Sequence, residues 1–510
     1  MPGIKGEGAV AGGQRGVSVS GTVGDVAGDI VGGDKITILD VSPEGLTLLR
    51  QLLLEQSTPS NTISRSATAP FVGRREHFGS LIYYRKERDY IPFDEQATQI
   101  LVLAQTQSLE KIRSQLPVEA DRAQLTDFYK LCQQIGMLDD FGRFDGVFLE
   151  NAPSPDRLSA PTLVQVAVTN ACNFSCGHCF ASAGNPYADE MTGAEICRLI
   201  DELAALGCLN LVFGGGEPLV RRDLPDLIAH ANQCGVGVTI STNAVAASPQ
   251  VIESLRPVRI DRFSVSMDAA TEAEYDAIRG QAGAFSLAKA GIAKLKSLGA
   301  PVDLRCVAMK PYAGGIAHVL QLADELGADA VTLRNVLPAG RAQSRPELLL
   351  DTMEMNALWR GARECAAERR AELRISHETP PVKERKHIYA GFGCECGRTN
   401  CYVDPRGQLA PTGFLRDSMP AGSLRDQTLK QIWDNSPVFT GLRGSTGNVL
   451  CRHCSYFAGC RGGCRANALL LNRDIERPDA NCAIAFEYEL GQQAAENSAS
   501  SGAPSTPAGP

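Results

Sequence analysis

The chain has 510 residues, 44% of them hydrophobic and 21% charged, with a formal net charge of −8. That length allows two to four domains with separate cores. The acidic balance excludes a free nucleic-acid binder, which needs a basic footprint. No segment approaches the ~20 apolar residues of a membrane helix. The opening MPGIKGEGAV lacks the apolar stretch of a signal peptide, so the expected location is the cytoplasm. Seventeen cysteines in a reducing compartment read as thiols or metal ligands rather than disulfides.

Residues 1–40 interleave Val and Ile with Gly and other small residues, which suits either short strands with Gly turns or a floppy tail. Residues 43–55 read as a short helix, and 56–72, rich in Ser, Thr and Pro, as a linker. In 79–93 two apolar runs, 81–84 and 90–93, flank a charged turn and predict a β-hairpin. Helical patterns follow at 94–105, 108–115 and 120–135, the last stopped by Gly136, with a return strand near 146–148. A hairpin with three helices is a winged-helix pattern.

From 163 to about 376, strands at 163–169, 210–213, 237–241, 262–267, 302–308 and 330–334 alternate with helices such as 192–206, 223–234, 284–298 and 315–326. Six strand–helix units predict a parallel sheet closed into a partial (β/α)6 TIM-like barrel, whose site forms at the C-terminal ends of the strands. Residues 394–482 are loop-rich and cysteine-rich, and 492–510 have the composition of a disordered tail. The predicted units are 1–72 (Gly/Val-rich segment, helix and linker), 73–150 (winged-helix-like), 151–376 (barrel), 377–491 (cysteine-rich) and 492–510 (tail).

Six cysteines, at 132, 197, 208, 234, 306 and 365, stand singly and read as small core residues without a role. The other eleven cluster. Cys172, Cys176 and Cys179 form C-x3-C-x2-C after the first barrel strand. Three thiolates on one loop hold three irons of a [4Fe–4S] cluster and leave the fourth iron open, whereas structural zinc asks for four closed ligands. The context resembles the radical S-adenosylmethionine (SAM) superfamily, in which SAM chelates the open iron. His178 fills a position that this family gives to an aromatic residue or His for packing.

Gly214-Gly215-Gly216-Glu217-Pro218 after the second strand resembles the same family's GGE element. The resemblance implies SAM binding by Gly215, Gly216 and Glu217, the carboxylate pairing with the SAM ammonium. Ser241-Thr242-Asn243 and Ser264–Asp268 end the third and fourth strands. Ser266 is implied as a SAM contact, with helix capping as the competing account. Arg341, in the segment Leu337–Ala342, resembles a recurring family element or is a surface charge.

Cys451, Cys454, Cys460, Cys464 and Cys482 give C-x2-C-x5-C-x3-C-x17-C, with Cys394, Cys396 and Cys401 upstream. Alone, the first pairs could form a zinc ribbon. Together they resemble the SPASM domain, an iron–sulfur module carrying one or two auxiliary [4Fe–4S] clusters. The resemblance implies one cluster on Cys451, Cys454, Cys460 and Cys482. The second falls to Cys464 and the upstream cysteines, of which Cys394 and Cys401 fit best. Thr412 stands where the family has cysteine, so Cys396 replaces the lost ligand or one iron stays open.

The resemblance implies an oxidoreductase that reductively cleaves SAM to a 5′-deoxyadenosyl radical, with a ferredoxin or flavodoxin as reductant; no residue stands out as its acid or base. Residues 74–145 hold ten basic against twelve acidic residues, which argues against DNA. Their pattern resembles the peptide-recognition element of ribosomal-peptide modifiers, which adds a leader strand to a hairpin edge, or is a structural domain. The expected substrate is therefore a ribosomally made precursor peptide. A small molecule such as a sugar or tetrapyrrole, and a structural-zinc scaffold, are the alternatives.

Overall fold

A computed structural model describes residues 39–54, 67–376, 394–444 and 449–488. The segments 1–38 and 489–510, which hold most of the Gly/Val-rich region and the C-terminal tail, lie outside the described residues. Helix α1 (Pro43–Leu54) leads into strands β1 (Phe71–Glu76), β2 (Gly79–Tyr84) and β3 (Asp89–Asp94). Helices α2 (Glu95–Leu103), α3 (Leu109–Gln115) and α4 (Glu119–Gln134) and strand β4 (Gly146–Phe148) follow. The sheet order is β3-β2-β1-β4, antiparallel except where β4 runs parallel to β1.

Period-2 alternation sends the two faces of this sheet to different cores. Ile82, Ile91 and Phe93 pack on the helices, while Leu81, Tyr83 and Tyr90 pack on the barrel. The short helix belongs here: Leu49 is fully buried in this core, and Ser42 before α1 donates to Asp121 of α4 at 2.6 Å. Strand β1 begins inside the expected linker. Its charged residues hid it: no strand was expected between residues 56 and 80, yet Arg74 and Glu76 form a buried ion pair at 2.8 Å, and Arg74 donates to the carbonyls of Ala160 and Pro161. Tyr90 donates its hydroxyl to Gly207 O and accepts from Leu209 N–H, fixing the unit to the barrel.

The barrel strands are β5 (Leu163–Thr169), β6 (Asn210–Gly215), β7 (Gly237–Thr242), β8 (Arg262–Ser266), β9 (Val302–Ala308) and β10 (Ala330–Asn335). Helices α5 (Gly193–Ala205), α6 (Leu224–Gln233), α7 (Pro249–Leu255), α8 (Glu272–Arg279), α9 (Ala284–Lys296), α10 (Ile316–Leu326) and α11 (Thr352–Ala366) cover them. All six strands are parallel, as expected from the alternation. A Thr192–Glu195 capping box starts α5.

The sheet continues beyond the expected six strands. Strand β11 (Glu372–Ile375) adds to β10, and β12 (Asn400–Val403) adds in parallel to β5, followed by β13 (Gln408–Ala410) and β14 (Gly422–Ser423). The cysteine-rich region is thus joined to the barrel edge by backbone hydrogen bonds. Its helices include α12 (Leu429–Asn435), α13 (Pro437–Gly444) and α14 (Arg465–Asn472). Among the described residues, no helix is long and apolar enough to cross a membrane.

Candidate active site

The loop after β5 closes on itself: Cys172 N–H donates to Gly184 O, and Gly184 N–H to Asn170 O. Cys172, Cys176 and Cys179 all lie on it, unbridged. Burial pushes the Cys172 thiol up to about 11, a cost that a bound cation removes. Arg341 is no surface charge. Its Nε donates to Cys176 O at 2.8 Å, its Nη1 to Ala183 O at 2.7 Å and its backbone N–H to Cys179 O at 3.0 Å, so it clamps the cysteine loop.

A buried network missed by sequence reading backs Cys176. Arg279, at the end of α8, donates from Nη1 to Cys176 Sγ at 3.5 Å and pairs with Asp268 at 2.7 Å. It lies over the Tyr275 ring at 4.8 Å. His178 Nε2 stands 3.4 Å from Asp268, and burial pulls its pKa down to about 4, so it is neutral at pH 7. The signal for Arg279 was weak, a single charge before the Gly280 helix stop.

The GGE element is built against the same loop. Gly216 N–H donates to Thr169 O and Glu217 N–H to Ala171 O, both at 2.8 Å. Gly215 has φ +119°, and a Cβ there would strike Thr169 O; one at Gly216 would strike Ala171 O. These glycines therefore let the second loop lie on the cysteine loop. Glu217, expected to pair with the SAM ammonium, already has partners within the protein. The Glu217 carboxylate is fully buried and accepts from Thr242 Oγ1 (2.6 Å), Leu219 N–H (3.0 Å) and Asn243 N–H (2.7 Å). Both oxygens are engaged in joining β6 to β7, and burial raises the carboxyl pKa. Asn243 in turn donates to Asn173 beside Cys172 at 2.8 Å.

Ser266 ends β8 half-buried on the lumen side, in register with Arg305 of β9, which is in register with Thr332 of β10. Arg334 lies one side-chain step further along β10. Among the described residues, neither Arg305 nor Arg334 has an ion-pair partner within 4 Å. Arg334 lies 5.2 Å from the Phe414 ring, and burial followed by Arg305 lowers it to about 9. The lumen therefore carries two arginines, and the nearby Asp303 is already paired with Arg262 and Arg374.

The C-terminal thiols form two sets. Cys451, Cys454, Cys460 and Cys482 line one cavity with Tyr456 and Phe457. Asp479 supports it: its carboxylate accepts from Cys464 N–H (2.8 Å) and Asn467 (2.8 Å), and its N–H donates to Gly462 O. The thiols of Cys396 and Cys464 both hydrogen-bond with that of Cys394, and those bonds together with burial raise both. Arg465 N–H donates to Cys394 Sγ at 3.4 Å.

Cys401, expected in this set, stands apart from it. It lies on β12 opposite Val164, in the barrel core, with Cys208 and Arg443 as its electrostatic neighbours, while Cys394, Cys396 and Cys464 share a separate cluster. Thr412 starts the turn 413–415. There Phe414 packs on Phe180 of the cysteine loop at 4.8 Å, and Arg416 donates to Ala181 O, linking the auxiliary region to the triplet.

The spacing of the thiols tests what they fit. A zinc tetrathiolate has S–S edges of about 3.8 Å. Among the described residues the one His/Cys/Asp/Glu group with all ligand atoms within 4.8 Å of one another is Asp201, His230 and Cys234. In none of the three thiol sets do three sulfurs all lie within 4.8 Å of one another, although Cys394 is close enough to hydrogen-bond with both Cys396 and Cys464. All three sets are sulfur-only, which fits multi-iron clusters.

A partial parallel barrel with a three-thiol loop at its mouth and further thiol sets on its edge defines an iron–sulfur enzyme with an open cluster. The radical SAM superfamily profile matches residues 166–312, and the SPASM iron-sulfur cluster-binding domain matches 394–455. The chain is 31% identical to the AdoMet-dependent heme synthase of Methanosarcina barkeri over 64% of this chain and 97% of that protein. It is 30% identical to the mycofactocin maturase MftC of Mycobacterium ulcerans over 64% and 88%. Among solved structures, Streptococcus suis SuiB bound to S-adenosylmethionine superposes with TM-score 0.61 at 18% identity, over 83% of this chain and 100% of SuiB; SuiB is also solved with its precursor peptide SuiA. The chain belongs to the radical SAM superfamily and carries a SPASM domain, so its cofactors are SAM, a SAM-binding [4Fe–4S] cluster and auxiliary iron–sulfur clusters.

Proposed function

We propose that this enzyme modifies a ribosomally made peptide by hydrogen abstraction, forming a crosslink or oxidising a side chain. In this reading Cys172, Cys176 and Cys179 hold the SAM-binding cluster, with Gly215, Gly216 and Ser266 lining the SAM site. Cys451, Cys454, Cys460 and Cys482 hold one auxiliary cluster, and Cys394, Cys396 and Cys464 the other. When bound, the cluster and SAM supply a 5′-deoxyadenosyl radical by one-electron cleavage of the sulfonium. The protein's part is to orient and to keep water out. Arg341 and Asn243 hold the cysteine loop, Arg279 offsets negative charge at Cys176, and Arg305 with Arg334 favours a substrate group bearing negative charge. A ferredoxin or flavodoxin supplies the electron, and the cytoplasm suits the unbridged cysteines.

The observation that carries the peptide reading is the outer edge of β3, which among the described residues pairs only with β2. An unpaired edge on a sheet fixed to the barrel can take an added strand. The likeness to a mycofactocin maturase and to a structure solved with a precursor peptide supports it. A carboxylate-bearing tetrapyrrole is the second reading. The heme synthase likeness and the two lumen arginines favour it, but it gives the β3 edge no use.

The test is anaerobic incubation of the reconstituted enzyme with SAM and dithionite. We expect 5′-deoxyadenosine, and its rate should rise with a candidate precursor peptide that emerges altered in mass. Stimulation by a tetrapyrrole and by no peptide would overturn the peptide reading.

A further inference from the structure

Two of the six cysteines that the sequence left without a role, Cys197 and Cys234, lie on neighbouring helices outside the barrel. Cys197 and Asp201 stand one turn apart on α5. His230 and Cys234 stand one turn apart on α6 and its C-terminal cap. The i,i+4 spacing puts each pair on one helix face, and these helices are neighbours over β5 and β6. His230 Nε2 lies 2.7 Å from Asp201 Oδ1, and Cys234 Sγ lies 3.4 Å from Asp201 Oδ1 and 3.8 Å from His230 Nε2. Cys197 stands one turn from Asp201 on α5, free and partly buried; its thiol lies outside the group whose ligand atoms are all within 4.8 Å of one another, so it has to turn toward Cys234 to complete a four-ligand set.

A tetrahedral zinc ion with S, N and O donors sets ligand–ligand edges of about 3.3–3.6 Å. Two of the three observed edges already lie close to that range. The third, the His230–Asp201 hydrogen bond, has to open by about half an ångström. Thiolate with imidazole selects zinc over magnesium or calcium, which prefer all-oxygen shells. The surroundings are acidic: Asp223 and Asp226 also face Cys197, and Arg221, the cation among them, is engaged with Asp223 at 2.6 Å.

We propose that Cys197, Asp201, His230 and Cys234 form a zinc site that ties α5 to α6. These are the helices that follow the cysteine loop and the GGE loop, so the ion braces the outside of the site's two principal loops. Binding displaces the thiol protons of Cys197 and Cys234. The proposal is independent of which substrate the enzyme takes.

The test uses reconstituted holoprotein given one equivalent of Zn2+, desalted, and measured for zinc, iron and sulfide and by zinc K-edge X-ray absorption, to which iron clusters do not contribute. We expect about one zinc per chain, with two sulfurs near 2.3 Å and N/O donors near 2.0–2.1 Å. His230→Ala and Cys234→Ser should each retain less than roughly a tenth of that zinc, with iron and sulfide unchanged. Asp201→Asn, an exposed change, should weaken retention without altering the circular dichroism, which covers the case in which His230→Ala folds poorly. Zinc retained at the wild-type level in all variants, no retention by the wild type, or three or more sulfurs around the ion would overturn the proposal; the last would put the zinc on vacant cluster thiols.

Discussion

Arg279 donates to the Cys176 thiol at 3.5 Å from a position almost wholly out of water. A cation there favours the more negative, reduced state of whatever Cys176 ligates. A hydrogen bond to a charged group contributes about 1.5–3 kcal/mol, which for a one-electron couple is roughly 60–130 mV. Arg279→Met should lower the reduction potential of the SAM-binding cluster by that amount and slow SAM cleavage. Arg279→Lys should fall between. EPR-monitored redox titration reads the shift directly. An unchanged potential would leave Arg279 only its pairing with Asp268.

The two upstream cysteines with opposite surroundings give a second contrast. Cys396→Ser should cost one auxiliary cluster, roughly four irons per chain, with the corresponding loss of visible absorbance. Cys401→Ala should keep the full iron count and lose about 1 kcal/mol of stability, the usual effect of a small core change. Iron analysis alongside thermal unfolding separates them. The reverse pattern would return Cys401 to the ligand set.

That contrast also shows where reading the sequence reached its limit. The six barrel strands fell within one or two residues of their positions, because apolar runs alternating with capped helices leave few other arrangements. The thiol triplet and the four thiols around one cavity were legible because ligand spacing is local. Which of Cys394, Cys396 and Cys401 gather was not, because the answer depends on β12 joining β5 across more than two hundred residues. Strands β1 and β11 are short and rich in charge, so neither was expected; the burial of the Arg74–Glu76 pair and the Arg374–Asp303 pair across the sheet appear only in the fold. Arg279 drew no reading, and Arg341 stood between a family element and a surface charge, because nothing local marks a buried guanidinium. Cys197 and His230 acquire partners only once two barrel helices lie side by side.

The β3 edge makes a prediction about where a peptide lands. If a leader strand adds to β3, the amides of residues 89–91, 93 and 94 should gain protection from hydrogen exchange on addition of a precursor peptide, Pro92 having none. The amides of β4, the opposite edge, should not. Exchange followed by mass spectrometry gives both in one experiment, with SAM present and reductant withheld so that no turnover occurs. Protection confined to the lumen strands would mean that the peptide enters without a docking strand.

Arg305 and Arg334 bear on the part of the substrate that reaches the lumen. Two guanidinium groups on adjacent strands, neither in an ion pair within 4 Å among the described residues, repel one another, and burial raises the cost of both charges. An anionic substrate group would relieve that cost on binding, and a charge-assisted hydrogen bond contributes about 1.5–3 kcal/mol. Removing one arginine should therefore raise KM for an accepted peptide about 10- to 100-fold. Arg334→Met should act chiefly on KM, because Arg334 lies further from the cysteine loop's network than Arg279. Arg334→Lys should recover part of the affinity by keeping the charge without the planar fork. Steady-state kinetics on an accepted peptide and on its counterpart with the anionic group amidated complete the test. The amide should bind weakly to the wild type, and the Met variant should tell the two apart less well. Equal KM values for acid and amide in the wild type would mean that the lumen arginines serve packing rather than recognition.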